Sequence, residues 1–267
     1  MDALGVPSDM LHYVMNPFTN VALADTQTGL GSGSDSLVNN SWMKATISED
    51  FGGMRVMSSN ALKTFSTEAG ITDRAGTITG TPITTYLSVK DSMVQSISVD
   101  GFSDGTVVAG EVVEITGRHH LSLATREPIV GADGQKVKFR AVVTQDAVIS
   151  GGTGTLLISG PAINEPNGQY NTADSAIEAG DVITLLGSED TIYQPNLFFH
   201  KQAFGLGTVK LPKLYSEDTV ATTEDGISIR VTRYSDGDSN KQKVRFDMLP
   251  AYATFNPFFA GKGFGTA

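Results

Sequence analysis

The chain contains no cysteine. A disulfide framework and a thiolate metal site are therefore both excluded. No apolar run approaches the roughly 18 residues that a membrane-spanning helix requires. The opening MDALGVPSDM has neither a basic n-region nor an apolar h-region. The expectation is a protein without signal peptide or membrane span, made and folded in a cytoplasm. Catalytic signatures are missing as well: GxSxG, HExxH, a Walker loop, and GxGxxG after a strand. GLGSGS at 29–34 follows a helix-like stretch and lacks the Lys-Ser/Thr sequel of a phosphate loop. DGDSN at 236–240 lacks the sixth-position glycine and twelfth-position glutamate of a calcium loop, and reads as a hairpin turn. Most carboxylates are turn aspartates, and none sits in an apolar setting that would mark a general acid. A hydrolase with two converging acids has no support. The chain reads as a non-enzyme with no cofactor and no metal.

Basic charge is also scarce. Nineteen Lys and Arg against 29 Asp and Glu give a formal net charge of -10. No basic stripe is available to track a phosphate backbone. Between Arg140 and Lys201 there is no Lys or Arg, while Asp146, Glu165, Asp174, Glu178, Asp181, Glu189 and Asp190 fall in that gap. Four histidines remain as candidate ligands. His119 and His120 are adjacent, so in a strand they point to opposite faces and cannot chelate together. They read as surface or turn histidines, and His200 as a packing histidine on a short helix.

What is abundant is glycine, 29 of 267 residues, within a chain that is 40% hydrophobic. This supports one substantial core or two modest ones, built from short strands and turns. In LHYVMNPFTNVALADT, a strand over His12–Met15 gives way to a helix running through Ala24. Asn16 serves as its cap and Pro17 takes the first helical position. A buried-looking strand this early leaves open a fragment, a cleaved chain or a true start. GLGSGSDS is a loop, Trp42 a packing anchor, and Met54–Ser58 a short strand entered through paired glycines. Strand-like pieces then recur at Val94–Val99, Val112–Ile115, Val137–Val143, Thr155–Ser159 and Val182–Leu186. Asp-Gly turns join several of them. AGEVVEI at 109–115 and AGDVITL at 179–185 use the same glycine entry into a strand. Residues 80–192 therefore read as a small antiparallel sandwich or barrel inserted between two parts of another domain.

NLFFHKQAFGLGTVKLPKL reads as a short helix and then a strand. From Ile227 the chain alternates as a hairpin. Ile227, Ile229 and Val231 oppose Ser228, Arg230 and Thr232, and Val244, Phe246 and Met248 alternate with Lys243, Arg245 and Asp247. The period of two predicts one apolar and one charged face. Aromatic residues crowd the end, where Phe255, Phe258, Phe259 and Phe264 are more than a small domain would hide.

At these residues the sequence resembles the major capsid proteins of tailed bacteriophages, in the short-tailed branch that carries an inserted β-barrel. NLFFHKQAFGLGTVKLP, ISIRVTRYSDGDSNKQKVRFDMLPAYATFNP, HYVMNP, DFGGMRVMSSNAL, VVEITGRHHLSLATREPI and FRAVVTQDAV carry the resemblance. It implies an α+β, discontinuous capsid-type core interrupted by an antiparallel β-barrel. The parts are 1–79 (core, first part), 80–192 (barrel) and 193–267 (core, second part with the closing hairpin). It implies an icosahedral shell subunit around double-stranded DNA, found in the virion and assembled in the host cytoplasm. Its partners are copies of itself in hexamers and pentamers, a scaffolding protein and a portal. The family's N-terminal arm, extended loop and spine helix are not found here. The expected intersubunit contacts are Arg230, Arg233, Arg245, Phe255, Phe258 and Phe259. Reversing Arg230 is expected to weaken assembly more than folding. The alternative is a glycan- or receptor-binding β module, for which 80–192 offers only Tyr86, Phe102, Phe139 and Tyr170 as aromatics.

Overall fold

Asn16 closes the first strand with its backbone N–H and starts the first helix with its side chain. Its Oδ1 accepts the N–H of Phe18 at 2.9 Å, while its own N–H donates to Asn196 Oδ1 at 3.0 Å. The computed structural model describes residues 1–28, 44–47, 49–215 and 218–264. The 29–36 loop and Trp42 lie outside them.

The opening elements are β1 (Leu11–Met15), α1 (Pro17–Thr28), β2 (Asp50–Phe51), β3 (Met54–Ser58) and β4 (Phe65–Ser66). A long β region follows: β5 (Ala75–Thr79), the short helix α2 (Tyr86–Val89), β6 (Val94–Asp100), β7 (Gly105–Val107) and β8 (Val112–His119). It continues with β9 (Lys138–Val143), β10 (Ala147–Ile149), β11 (Gly154–Ser159) and β12 (Val182–Leu186). Then come β13 (Ile192–Tyr193), β14 (Pro195–His200), β15 (Phe204–Thr208), β16 (Thr219–Thr222), β17 (Ser228–Asp236), β18 (Lys241–Asp247), β19 (Pro250–Thr254) and β20 (Ala260–Phe264). The chain divides into two compact units. Unit 1 comprises Met1–Lys201 with Pro257–Ala267, and unit 2 comprises Gln202–Asn256.

Unit 1 holds a mixed α/β core whose main sheet runs β2-β3-β1-β14-β20. β1 is parallel to β3 and antiparallel to β14, so strands distant in sequence share one sheet. NLFFH was expected to be helical but forms β14 between β1 and β20. Its backbone bonds both neighbours, and that pairing overrides local helix preference. In β20, Gly261 faces Phe198, and a Cβ there would lie 2.2 Å from the ring. The tail glycines therefore let an aromatic strand sit close to its neighbour.

Six further strands hydrogen-bond in a closed ring, β11-β6-β5-β12-β8-β9. Alternation decides what fills it. Ile97 and Val99 of β6, Phe139, Ala141 and Val143 of β9, and Ile183 and Leu185 of β12 are buried, as are Leu156 and Ile158 of β11. The interior is packed side chains rather than a pore. Gln95 is the polar exception, and both ends of its amide are satisfied. Nε2 donates to Ile83 O at 2.9 Å, and Oε1 accepts the Ala162 N–H at 2.9 Å. β5 begins before residue 80 and has little signal of its own. Its Gly76 is needed because a Cβ would meet the Phe102 ring at 2.6 Å.

The two AG-acid devices behave alike. Gly110 and Gly180 take positive φ (105° and 92°), and the acid that follows each binds an arginine. Glu111 pairs with Arg74, and Asp181 with Arg118 at 2.6 Å. At the mouth of the barrel sequence, β4 pairs with β13. Thr67 ties that neck. Its Oγ1 donates to Ser188 O at 2.9 Å and accepts the Thr191 N–H at 3.0 Å. Thr67→Val leaves the half-buried Thr191 N–H without its partner and removes the buried hydroxyl's hydrogen bond to Ser188 O. We expect a loss of about 1–3 kcal/mol in urea unfolding of the chain. An unchanged midpoint would show that the neck contributes nothing.

Candidate functional site

Unit 2 carries four of the six contact candidates, Arg230, Arg233, Arg245 and Phe255, and its sheets are thin. β17 lies between β16 and β18, and β15 pairs with β19 as a two-stranded ribbon. The hairpin alternates as its sequence predicts, but along β17 the polar face is the covered one, while β18 is exposed almost throughout. Ser228, Arg230 and Thr232 are buried, while Val244 and Phe246 are exposed. The physical reason is that the polar stripe finds internal partners. The Ser228 N–H donates to Thr208 Oγ1 at 2.7 Å. Arg230, only 8% exposed, donates from Nη2 to Asp247 Oδ2 at 2.6 Å and from Nη1 to Pro212 O at 2.8 Å.

Arg245 approaches the same carboxylate, with Nε 2.9 Å from Asp247 Oδ1. Hydrogen bonding from Arg230, the largest influence, holds the Asp247 carboxyl below its usual range, with Arg245 adding to it. Arg233 does not belong to this cluster. It lies opposite Val244, on the other face of the hairpin from Arg230, and is exposed.

The aromatic candidates also separate. Phe255 is 66% exposed and its ring lies against Gly205, where a Cβ would be 2.4 Å away. Phe258 and Phe259 belong to unit 1 and are turned inward. Phe258 is buried against Gly160, and Phe259 meets His200 edge-on with centroids 5.5 Å apart. They are not a free aromatic tail, because β20 is paired into the main sheet and carries them with it. The apolar surface of unit 2 lies elsewhere. Phe246 is 72% exposed and Tyr252, paired across from Leu206, is 77% exposed. The alternation of VRFDM and the spacing of FGLGT and AYATF carried this signal, read with the opposite face inward.

The remaining chemistry is structural. Among the described residues, no three of His, Asp and Glu converge to hold a metal. His119 is bonded to Asp174, its Nδ1 2.8 Å from Oδ2. Asp174 is held below its ordinary range, burial opposing and the His119 hydrogen bonds prevailing. His120, expected at the surface or in a turn, is half-buried and packs at a tilt against Phe139 with centroids 4.5 Å apart, and its Nε2 accepts the Arg140 N–H at 3.1 Å. His200 is buried at the end of β14 rather than on a helix. On the barrel, Tyr86 and Tyr170 stack on each other at 4.2 Å, and Phe102 and Phe139 are in the core. No open aromatic platform for a glycan is formed by these four.

Residues 1–265 match the family model described as P22 coat protein, gene protein 5. The chain belongs to the P22 coat protein family. It is 38% identical over 267 residues to a protein named major capsid protein from Acyrthosiphon pisum secondary endosymbiont phage 1. That match covers 98% of this chain and 62% of the relative, so the chain spans less than two thirds of the relative's length.

Two outcomes follow from the geometry. Arg230→Glu places like charge beside Asp247 in a buried position, so the fold gives way before any surface does. The expected loss is on the order of 3–5 kcal/mol, against less than about 0.5 kcal/mol for exposed Arg233→Glu. Thermal melts of the two variants check this, and equal melts would refute it.

Burial, as the main cause, pushes His120 down to about 4. The neutral ring is therefore favoured in the fold. That stabilisation is complete above the unfolded value of about 6.5 and is lost as pH falls toward 4. His120→Phe should flatten the fall in urea midpoint between pH 7 and pH 4.5.

Proposed function

We propose that the chain is a structural subunit of a bacteriophage capsid shell enclosing double-stranded DNA, assembled with many copies of itself in hexamers and pentamers. The observation that carries this reading is membership of the P22 coat protein family over nearly the whole chain. The finer assignment is the short-tailed branch, with residues 80–192, joined by β5 (Ala75–Thr79) just before them, as an inserted barrel between two parts of a core. In support, the strands on either side of the barrel sequence, β4 and β13, pair with each other, so an excursion between them leaves and returns at one place. Scaffolding protein and portal are the expected partners, the host cytoplasm the place of assembly and the virion the destination.

Shell contacts need surface that one copy does not consume. On unit 2 these are Phe246, Tyr252, Leu206 and Phe255, with Arg233 and Arg245 as charged neighbours. Arg230, Phe258 and Phe259 act by holding their own units together. A glycan-binding module is the weaker reading, because the barrel's aromatic residues stack on each other or fill the core.

The test is a double variant, Phe246→Asp with Tyr252→Asp, in the full protein as it is made during assembly. Particle yield by sedimentation and electron microscopy should fall more than tenfold. Two exposed substitutions should shift the melting point of the 267-residue chain by no more than about 4 °C. Undiminished particle yield would remove this face from the assembly surface.

A further inference from the structure

Where barrel strands β8, β9 and β12 approach β14 and β20, unit 1 has a half-open cavity of about 510 Å³. This lies within the size range of pockets that hold small ligands. One wall is a cluster of three rings. Phe65 stacks on Tyr193 with centroids 5.5 Å apart, and Phe264 meets them edge-on at 5.9 and 5.4 Å. Phe198 adds a fourth ring.

Of the charged side chains lining the cavity, two are already neutralised. Glu111 is bound by Arg74, and Arg140 Nε donates to Glu114 at 3.0 Å. Lys262 is the third. Its Nζ lies 5.8 Å above the Phe65 ring and 3.4 Å from Gly110 O. Among the described residues it forms no ion pair within 4.0 Å. A second opening beside it is lined by Lys63 and Asp146, and Asp146 Oδ1 accepts the Ala109 N–H at 2.8 Å. Burial lowers the Lys262 amine from its ordinary range, as expected for a cation without a counter-ion. An ammonium in an aromatic-walled recess attracts an anion more strongly than one in open water.

We propose that this cavity binds an amphipathic carboxylate, its apolar chain among Phe65, Phe198 and Phe264 and its carboxylate paired with Lys262. Such a ligand restores the missing counter-ion and buries apolar surface in one step. All the residues that line the site belong to unit 1.

Octanoate and 1-octanol share the apolar chain and differ in charge. In calorimetry on the complete 267-residue chain at pH 7, octanoate should bind at least tenfold tighter than octanol. Lys262→Met should erase that preference while leaving octanol affinity within twofold, and Lys262→Arg should keep it. Equal affinities in the unmodified protein, binding of neither compound, or a preference that survives Lys262→Met would overturn the proposal. The first comparison needs no variant, so poor folding of Lys262→Met leaves the test intact. A diazirine-bearing octanoate analogue should label residues around the cavity, and labelling confined elsewhere would overturn the site.

Discussion

The pairing of β1 with β14 is the constraint on which unit 1 depends. Leu11 to Val14 lie opposite His200 to Leu197, with the whole barrel sequence between them. The entropy of closing so long an excursion grows only with the logarithm of its length, about 0.6 kcal/mol for each doubling. What matters is that the two ends meet. β4 and β13 bring them together, and Thr67 ties them with hydrogen bonds to both Ser188 and Thr191. Once the neck is closed, the main sheet can form from distant segments, and the barrel can fold around its own apolar interior.

The two units solve burial in opposite ways. In the barrel, alternation sends Ile, Val, Leu and Phe inward to a closed ring with no free edge. In unit 2 the three-stranded sheet buries its polar stripe instead. Arg230 reaches Asp247 and the Pro212 carbonyl, so the guanidinium is satisfied without water. The apolar stripe of the same hairpin is left outside, with Val244 and Phe246 exposed. For an isolated domain this arrangement is costly. It separates the contacts that hold the unit together from apolar surface that stays exposed.

Glycine and acid placement link these levels. Gly110 and Gly180 turn the chain into β8 and β12, and Glu111 and Asp181 then anchor each entry to an arginine on another strand or turn. The repeated AG-acid phrase is therefore a turn and an ion pair in one device. Gly76 and Gly261 do something different. Both make room for rings, Phe102 and Phe198, that cross close to the backbone.

The sequence alone determined what depends on neighbours along the chain. Asn16 and Pro17 mark the start of α1. The period-two runs mark β6, β8, β9, β11 and β12, and the paired glycines mark the entry to β3. Family resemblance was legible in some of these segments and more specifically in the C-terminal third, in NLFFHKQAFGLGTVKLP and the closing hairpin. Only the tertiary structure decided questions that depend on partners distant in sequence. NLFFH became a strand because β1 and β20 offered it backbone hydrogen bonds on both sides. β5 was hidden because its glycine is explained only by neighbours brought in by the fold, the Asp100 carbonyl and the Phe102 ring. Alternation showed that the β17–β18 hairpin has two unlike faces, but a period of two cannot say which one is covered. That was decided by Asp247, Pro212 and Thr208, which give the polar face its partners and leave the apolar face exposed.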